Sequence, residues 1–198
     1  MARKVVIFGA NGFVGGEFAK QFIENGDSVT SVSRTGEPLG NESWYSKVDW
    51  KVGNALGTGF WENYLKDADV VVDTIGEYQE SQNENLTFEK VNYQSALNIA
   101  DAAEKNKVPV FVYISADDIP GANRRYISTK RDAEDNLNKR SFRTVIMRPA
   151  TMVTDDDKVD SDSKYRSLPV SMVALAALDA VDNDKENVTL GVDDIDKL

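Results

Sequence analysis

A short apolar run that leads directly into three regularly spaced glycines is the feature that most constrains this fold. The run covers residues 5–8, and Gly9, Gly12 and Gly15 follow at intervals of three. Gly9 stands where the chain turns after a strand, Gly12 where a ligand would meet the backbone, and Gly15 in the first turn of a helix. The free N–H groups of a helix N-terminus bind phosphate. The pattern predicts a dinucleotide site, with a purely structural turn as the alternative.

Apolar runs alternate with helical patterns along the chain. Runs of this kind are typical of parallel strands covered on both faces, and they lie at residues 5–8, 29–33, 69–75, 108–115 and 144–148. Helical spacing occupies residues 14–23, 88–105 and 126–140. The alternation predicts an α/β fold, a doubly wound and mostly parallel Rossmann sheet with helices on both faces. We expect a single domain over residues 1–198.

The composition excludes several kinds of chemistry and partner. The formal net charge is −10, which argues against nucleic acid and anionic membrane surfaces as partners. Cysteine and histidine are absent, so thiolate nucleophiles, Ser-His-Asp triads and Cys/His metal sites are excluded, and no metal is expected. No apolar run reaches the ~18 residues of a membrane span, and we expect a cytoplasmic protein. The acidic stretch 154–163 is expected to be a solvated loop.

Further motifs follow the glycine turn. They are VGN (52–54), DTIGEY (73–78), VNYQSALNIADAA (91–103), VYIS (112–115), YISTK (126–130) and MRPATMV (147–153). In type and order they resemble the extended and atypical short-chain dehydrogenase/reductases of the NAD(P)-binding Rossmann superfamily. The chain looks closest to small members related to a complex I accessory subunit and a fungal ubiquinone-biosynthesis protein. The resemblance implies that residues from about 150 to 198 form a much reduced substrate lobe with a closing helix, strand and terminal helix.

The glycine turn and this resemblance together imply a set of cofactor contacts. The expected residues are Gly9, Asn11, Gly12, Phe13, Val14, Gly15, Ser33, Arg34, Asn54, Ala55, Ile75, Gly76, Lys130 and Pro149. Proteins of this kind that use NAD place an acid after the second strand, whereas this chain has Ser33 and Arg34 there. A guanidinium beside a hydroxyl suits a 2′-phosphate, so we expect NADP(H) in preference to NAD(H). A merely solubilising Arg34 is the alternative.

The YISTK motif supplies the candidate catalytic pair. Residues four apart share a helix face, so Tyr126 and Lys130 lie on the apolar side of Ala133 and Leu137. A lysine there is costly unless its charge is used, and the alternative is a lysine that reaches solvent at the helix edge. The resemblance implies that Tyr126 is the general acid/base. It also implies that Lys130 holds the nicotinamide ribose and lowers the pKa of the tyrosine.

Two further residues complete the expected catalytic set. The resemblance implies that Ser115 steadies the substrate oxygen, although only 11 positions separate it from Tyr126, which is short for this superfamily. Asn92 lies in the middle of an apolar helix face, where a buried amide needs partners. The resemblance implies that Asn92 helps to organise the site. An amide that caps a neighbouring backbone group is the alternative.

Two classes of function remain open from the sequence. The first is an NADP(H)-dependent oxidoreductase that uses Tyr126 and Lys130 on a small carbonyl, alcohol or quinone-like substrate. The second is a non-catalytic NADPH-binding sensor or assembly factor. A sugar-nucleotide epimerase or dehydratase is disfavoured because only 49 residues follow Pro149. Dimerisation is compatible with the resemblance, but no residue pattern marks an interface.

Overall fold

A seven-stranded, entirely parallel sheet forms the centre of the molecule. The computed structural model describes residues 2–81, 86–157 and 166–197. The elements are β1 (Lys4–Phe8), α1 (Phe13–Glu24), β2 (Ser28–Ser33), β3 (Val48–Val52), β4 (Val70–Asp73), α2 (Ser95–Lys105), β5 (Val110–Ile114), α3 (Arg124–Leu137), β6 (Arg143–Met147), β7 (Met152–Val153), β8 (Leu168–Pro169), α4 (Val170–Asn183), β9 (Val188–Leu190) and α5 (Val192–Ile195). The strand order is β3-β2-β1-β4-β5-β6-β9. This is the predicted doubly wound Rossmann sheet.

Two apolar cores, one on each face, hold the sheet. Val5 and Ile7 of β1 join the core that contains Phe18 of α1 and the buried face of α4. Val6 and Phe8 point the other way and join the core formed with α2 and α3. Successive strand residues face opposite sides, so a strand with no polar position is stable only when helices cover both faces. The continuous apolar runs predicted this arrangement.

Two helices depart from their predicted bounds. The segment predicted as a helix over residues 88–105 begins with a wide π-helical turn, Glu89–Gln94, before α2. Turns of this type occur frequently at functional sites, and this one carries Asn92. The prediction for residues 126–140 is displaced by two to three residues, because Asn123 caps α3 by accepting a hydrogen bond from the N–H of Arg125.

The C-terminal part adds α4, β9 and α5 to the main fold. Helix α4 packs against the sheet, and β9 pairs in parallel with β6. Strands β7 and β8 form a separate small pair beside it. Of the acidic stretch, residues 154–157 are exposed, and residues 158–163 lie outside the described part of the chain. No helix in the described ranges has both the length and the apolarity to cross a bilayer.

Candidate functional site

A cavity of about 480 Å³ opens at the carboxyl ends of β1, β2 and β4. Its lining is Phe8, Gly9, Asn11, Gly12, Val32, Ser33, Arg34, Thr35, Gly53, Asn54, Ala55, Leu56, Thr74, Ile75, Gly76, Glu77, Leu86 and Val91. Strand β1 lies between β2 and β4, so the chain reverses its direction of winding at this point. Ligands of doubly wound sheets bind in the crevice at such a reversal.

The three glycines have separable roles at the cavity. Gly9 has φ of +93° and so needs glycine for its backbone conformation. A Cβ on Gly15 would lie 2.2 Å from the carbonyl oxygen of Gly9, so Gly15 lets helix α1 pack against the turn. A Cβ on Gly12 would meet only that oxygen, at 3.3 Å. Gly12 therefore leaves room for a ligand, whereas Gly9 and Gly15 serve the fold.

The N-terminus of α1 presents uncapped backbone donors beside Gly12. No side chain caps this end, and the first turn carries no acidic residue. The N–H groups of Phe13, Val14 and Gly15 have no carbonyl partner within the helix, because an α-helix leaves its first N–H groups free. The Phe13 side chain is half-exposed, and Val14 packs on the core. The residues therefore fit a pyrophosphate held by backbone donors.

The loop after β2 places a free guanidinium at one end of the cavity. Arg34 is exposed and makes no hydrogen bond or ion pair within the described residues. Ser33 is buried, and its hydroxyl both donates to and accepts from the backbone of Gly36. The Asn11 amide donates to the hydroxyl of Thr35 at 2.9 Å. Thr35 was not predicted, although its place directly after Arg34 is a usable signal.

The other predicted cofactor residues divide into two groups. Asn54, Ala55, Ile75 and Gly76 line the cavity, and Asn54 accepts a hydrogen bond from the N–H of Leu56. Two further predicted contacts are not part of this lining. Pro149 is buried, and its carbonyl accepts a hydrogen bond from Asp117, while Lys130 lies behind Gly76.

Lys130 is buried against the wall of the cavity. Its Nζ donates to the carbonyl of Ile114 at 2.8 Å and lies 4.7 Å from the centre of the Tyr113 ring. A Cβ placed on Gly76 would be 3.1 Å from that Nζ, so the absent side chain of Gly76 brings cavity and ammonium together. Burial lowers the pKa of Lys130 to about 8, and the carboxylate of Asp73 opposes this change. The alternative of a solvent-reaching lysine is wrong, because its exposure is 2%.

Tyr126 lies one turn before Lys130 and packs edge-on against Phe88, with 5.7 Å between ring centres. Its burial raises the pKa of the phenol, and the guanidinium of Arg131 opposes that change. The expectation that Lys130 lowers this pKa is therefore wrong for the protein alone. The physical reason is that the Lys130 ammonium is committed to Ile114 and to the neighbourhood of Asp73, whereas the phenol is desolvated.

The side chain of Asn92 binds the backbone of the loop after β4. Its side-chain oxygen accepts from the N–H of Glu77 and its amide donates to the carbonyl of Glu77, both at 2.9 Å. Its own backbone carbonyl accepts from the hydroxyl of Tyr113 at 2.8 Å. The backbone-capping alternative describes these contacts. They also fix Glu77 and Gly76 in the cavity wall, which is an organising function.

Ser115 belongs to a buried ionic cluster that the sequence did not reveal. Its hydroxyl donates to Glu134 and accepts from Arg131. Glu134 is 2% exposed and also accepts from Arg131 at 2.7 Å and from Arg148 at 3.0 Å. In this arrangement the Ser115 hydroxyl donates its hydrogen bond to Glu134 and therefore does not direct it at a substrate oxygen.

Comparison with known proteins identifies the family. A family model described as NAD(P)H-binding matches residues 9–184. The chain belongs to this NAD(P)H-binding family. The match begins at Gly9, the first glycine of the turn, and ends after α4. The expected membership of the NAD(P)-binding Rossmann superfamily is confirmed. The expected relationship to a complex I subunit is also confirmed, by the Neurospora crassa protein in the next paragraph.

Three relatives show how much of longer proteins this chain represents. An uncharacterized chloroplastic protein of Arabidopsis thaliana is 34% identical over 75% of this chain and 50% of its own length. MIOREX complex component 2 of Saccharomyces cerevisiae is 29% identical over 77% of this chain and 73% of its own. The mitochondrial NADH-ubiquinone oxidoreductase 40 kDa subunit of Neurospora crassa is 27% identical over 77% and 41%. The chain thus spans half or less of two of these proteins.

Solved structures share the fold at low identity. The Bordetella bronchiseptica enzyme WbmH, solved in complex with NAD+, superposes with a TM-score of 0.76 at 22% identity over 97% of this chain and 76% of its own. This likeness concerns the fold.

Proposed function

We propose that this protein is an NADP(H)-dependent oxidoreductase that acts on a small carbonyl, alcohol or quinone-like compound. The observation that carries the proposal is the buried ammonium of Lys130 behind Gly76, one helical turn from Tyr126. Burying a lysine costs free energy, and a position at the wall of the 480 Å³ cavity gives that charge a use. Both side chains sit on one face of α3, which fixes their spacing.

The preference for NADP(H) rests on the loop after β2. Arg34 is exposed at the cavity with all of its guanidinium donors free among the described contacts. Among the described residues, Glu77 supplies the only carboxylate of the cavity lining, and it lies after β4, not after β2. A ribose that carries a 2′-phosphate matches a free guanidinium and meets no carboxylate from β2. The hydroxyls of Ser33 and Thr35 flank the same position.

The protonation state of Tyr126 suits the reduction of a carbonyl. When bound, NADPH supplies a hydride to the carbonyl carbon of the substrate. Burial raises the pKa of Tyr126, so the phenol carries its proton at neutral pH and can give it to the carbonyl oxygen as negative charge develops there. The Lys130 ammonium holds a ribose hydroxyl in this scheme. The product is the alcohol, with Tyr126 left as phenolate until solvent reprotonates it.

A second candidate function is a non-catalytic NADPH-binding sensor or assembly factor. Two observations favour it: the Ser115 hydroxyl is engaged with Glu134, and Tyr126 does not line the cavity. Two relatives carry names of components of larger assemblies, the MIOREX complex and NADH-ubiquinone oxidoreductase. We rank this function second because a binder that holds the ribose through Lys130 has no need of a phenol one helical turn away on the same face.

Turnover with a panel of aldehydes, ketones and quinones distinguishes the two functions. NADPH oxidation is followed by absorbance for the wild type and for Tyr126→Phe, which keeps the packing against Phe88 but has no transferable proton. The proposal expects turnover of a panel member and a loss of about 10²–10⁴-fold in Tyr126→Phe, with NADPH affinity retained. Equal rates in the two proteins would exclude Tyr126 as the acid. Tight NADPH binding without turnover of any panel compound would favour the sensor or assembly function.

A further inference from the structure

A buried carboxylate at the end of β4 has no task in the function proposed above. Asp73 is fully buried, and one of its oxygens, Oδ1, accepts a hydrogen bond from the N–H of Ile75 at 2.9 Å. The other, Oδ2, has no hydrogen-bond partner among the described residues. Burying an ionised carboxylate is costly unless a charge or hydrogen bonds compensate it. The buried, unpaired oxygen of Asp73 therefore needs a compensating charge or a functional role.

The sheet places Asp73 beside Lys130. Asp73 is in register with Phe8 of β1 and Tyr113 of β5, and the side chains of both partners belong to the core under α2 and α3. Residues in register on parallel strands face the same side. The Nζ of Lys130 lies over the Tyr113 ring, so the carboxylate and the ammonium lie on the same side of the sheet, near enough for the charge of Asp73 to act on Lys130 but without a direct hydrogen bond between them.

Titratable groups on three elements lie around Lys130. Asp73 comes from β4, Tyr113 from β5 and Glu134 from the next turn of α3; Asn92 adds a neutral amide. The Glu134 carboxylate is already shared by Arg131, Arg148 and Ser115. Tyr113 stays protonated, because burial raises the pKa of its phenol well above the usual value. Asp73 is thus the anion that remains for Lys130.

We propose that Asp73 is a positioning residue that keeps Lys130 in its ammonium form at the cavity wall, ready to hold a sugar hydroxyl of the dinucleotide. This inference rests on the ribose contact assigned to Lys130 in the proposed function. Asp73 also anchors the turn through the N–H of Ile75, the residue before Gly76. The Asp73 carboxylate therefore acts on the charge of Lys130 and also holds the turn that forms the cavity wall.

The direction of the pH effect follows from the burial of the pair. Burial lowers the pKa of Lys130 to about 8, and the negative charge of Asp73 limits that fall. Burial raises the pKa of Asp73 to about 6, and Lys130 limits that rise. Between these values both groups are charged. NADPH affinity should fall as the pH rises through about 8, where Lys130 loses its proton, and removal of the Asp73 charge should move that fall to lower pH.

Asp73→Asn is the variant that separates charge from structure. An asparagine oxygen can still accept from the N–H of Ile75, so the turn is retained while the negative charge is removed. We would titrate NADPH by fluorescence between about pH 6 and 10. The series is repeated with NADH, which lacks the 2′-phosphate, so that titration of the phosphate at pH ~6 is told apart from titration of Lys130. Lys130→Met and the double variant complete a cycle. Melting temperatures are recorded for each protein.

The expected result is a midpoint in Asp73→Asn about one pH unit below that of the wild type, no such step in Lys130→Met, and a double variant that behaves as Lys130→Met. Superposable profiles for the wild type and Asp73→Asn would overturn the role of Asp73 while leaving that of Lys130 intact. A step that persists in Lys130→Met would overturn the ribose contact, and this inference with it.

A measurement on the wild type does not depend on whether a variant folds. Carbon-13 NMR of labelled lysines follows the protonation of Lys130 directly. The inference expects a main transition near the pKa of about 8 and a smaller shift near pH 6 as Asp73 takes up its proton. A Lys130 signal that does not respond near pH 6 would overturn the coupling.

Discussion

At the scale of single residues, the cavity separates positions that serve the ligand from those that serve the fold. Gly15 has no space for a side chain, whereas Gly12 and Arg34 have no structural partner that demands their identity. The glycine turn between a buried strand and an amphipathic helix predicted both glycines, and the lack of an acid after the second strand predicted Arg34. Contacts between residues far apart in the chain, such as that between Ser115 and Glu134, have no comparable local signal in the sequence.

Arg34→Ala tests the choice of dinucleotide. The substitution removes the guanidinium and with it a charged hydrogen bond to the 2′-phosphate. NADPH affinity should therefore weaken by about 1.5–3 kcal/mol, while NADH affinity changes little. Fluorescence titration with both dinucleotides measures this difference. Lys185→Ala is the control, since it removes one positive charge from an exposed site remote from the cavity. An equal loss for both dinucleotides would argue against recognition of the 2′-phosphate.

At the scale of elements, helix α3 carries both the proposed chemistry and an internal ion cluster. Tyr126 and Lys130 follow from the four-residue spacing of a helix, which the sequence displays. Glu134 lies one further turn along but looks like one of several surface acids in RDAEDN. Its partners Ser115 and Arg148 come from the ends of β5 and β6, so only the folded sheet reveals that it is buried.

Glu134→Ala should be strongly destabilising. The substitution leaves Arg131 and Arg148 without their shared carboxylate, and removing one partner of a buried ion pair costs about 3–5 kcal/mol. The lower end applies here because both guanidinium groups are partly exposed. Asp118→Ala breaks a matched pair with Arg124 at the surface and should cost less than about 1 kcal/mol. Urea unfolding measures the free energy of unfolding of both variants. Similar decreases in the two would show that the Glu134 cluster stabilises the protein no more than a surface ion pair does.

At the scale of the whole molecule, the parallel sheet and its two cores were predictable because unbroken apolar runs fit only a sheet covered on both faces. Other features depend on tertiary packing. The π-helical turn before α2 has no recognised local signal, and the raised pKa of Tyr126 comes from burial that no spacing encodes. Asp73, the charged end of an apolar strand, was visible in the sequence but acquires a meaning only beside Lys130.

The fold supports either candidate function only if the cavity holds a dinucleotide. Gly12→Val addresses this directly, because Gly12 has extended backbone angles that valine adopts, and its Cβ approaches only the carbonyl of Gly9. The valine side chain would occupy the space of the pyrophosphate while the protein stays folded. Gly57→Val is the matched control, since a Cβ there meets nothing within 4 Å and Gly57 is not part of the cavity lining.

NADPH titration of these two variants and the wild type, with melting temperatures recorded alongside, is therefore the most direct measurement. We expect Gly12→Val to retain the fold and lose NADPH binding by at least about 100-fold, which corresponds to about 2.7 kcal/mol, while Gly57→Val binds as the wild type does. A folded Gly12→Val protein that binds NADPH with wild-type affinity would contradict the assignment of the cavity as the dinucleotide site.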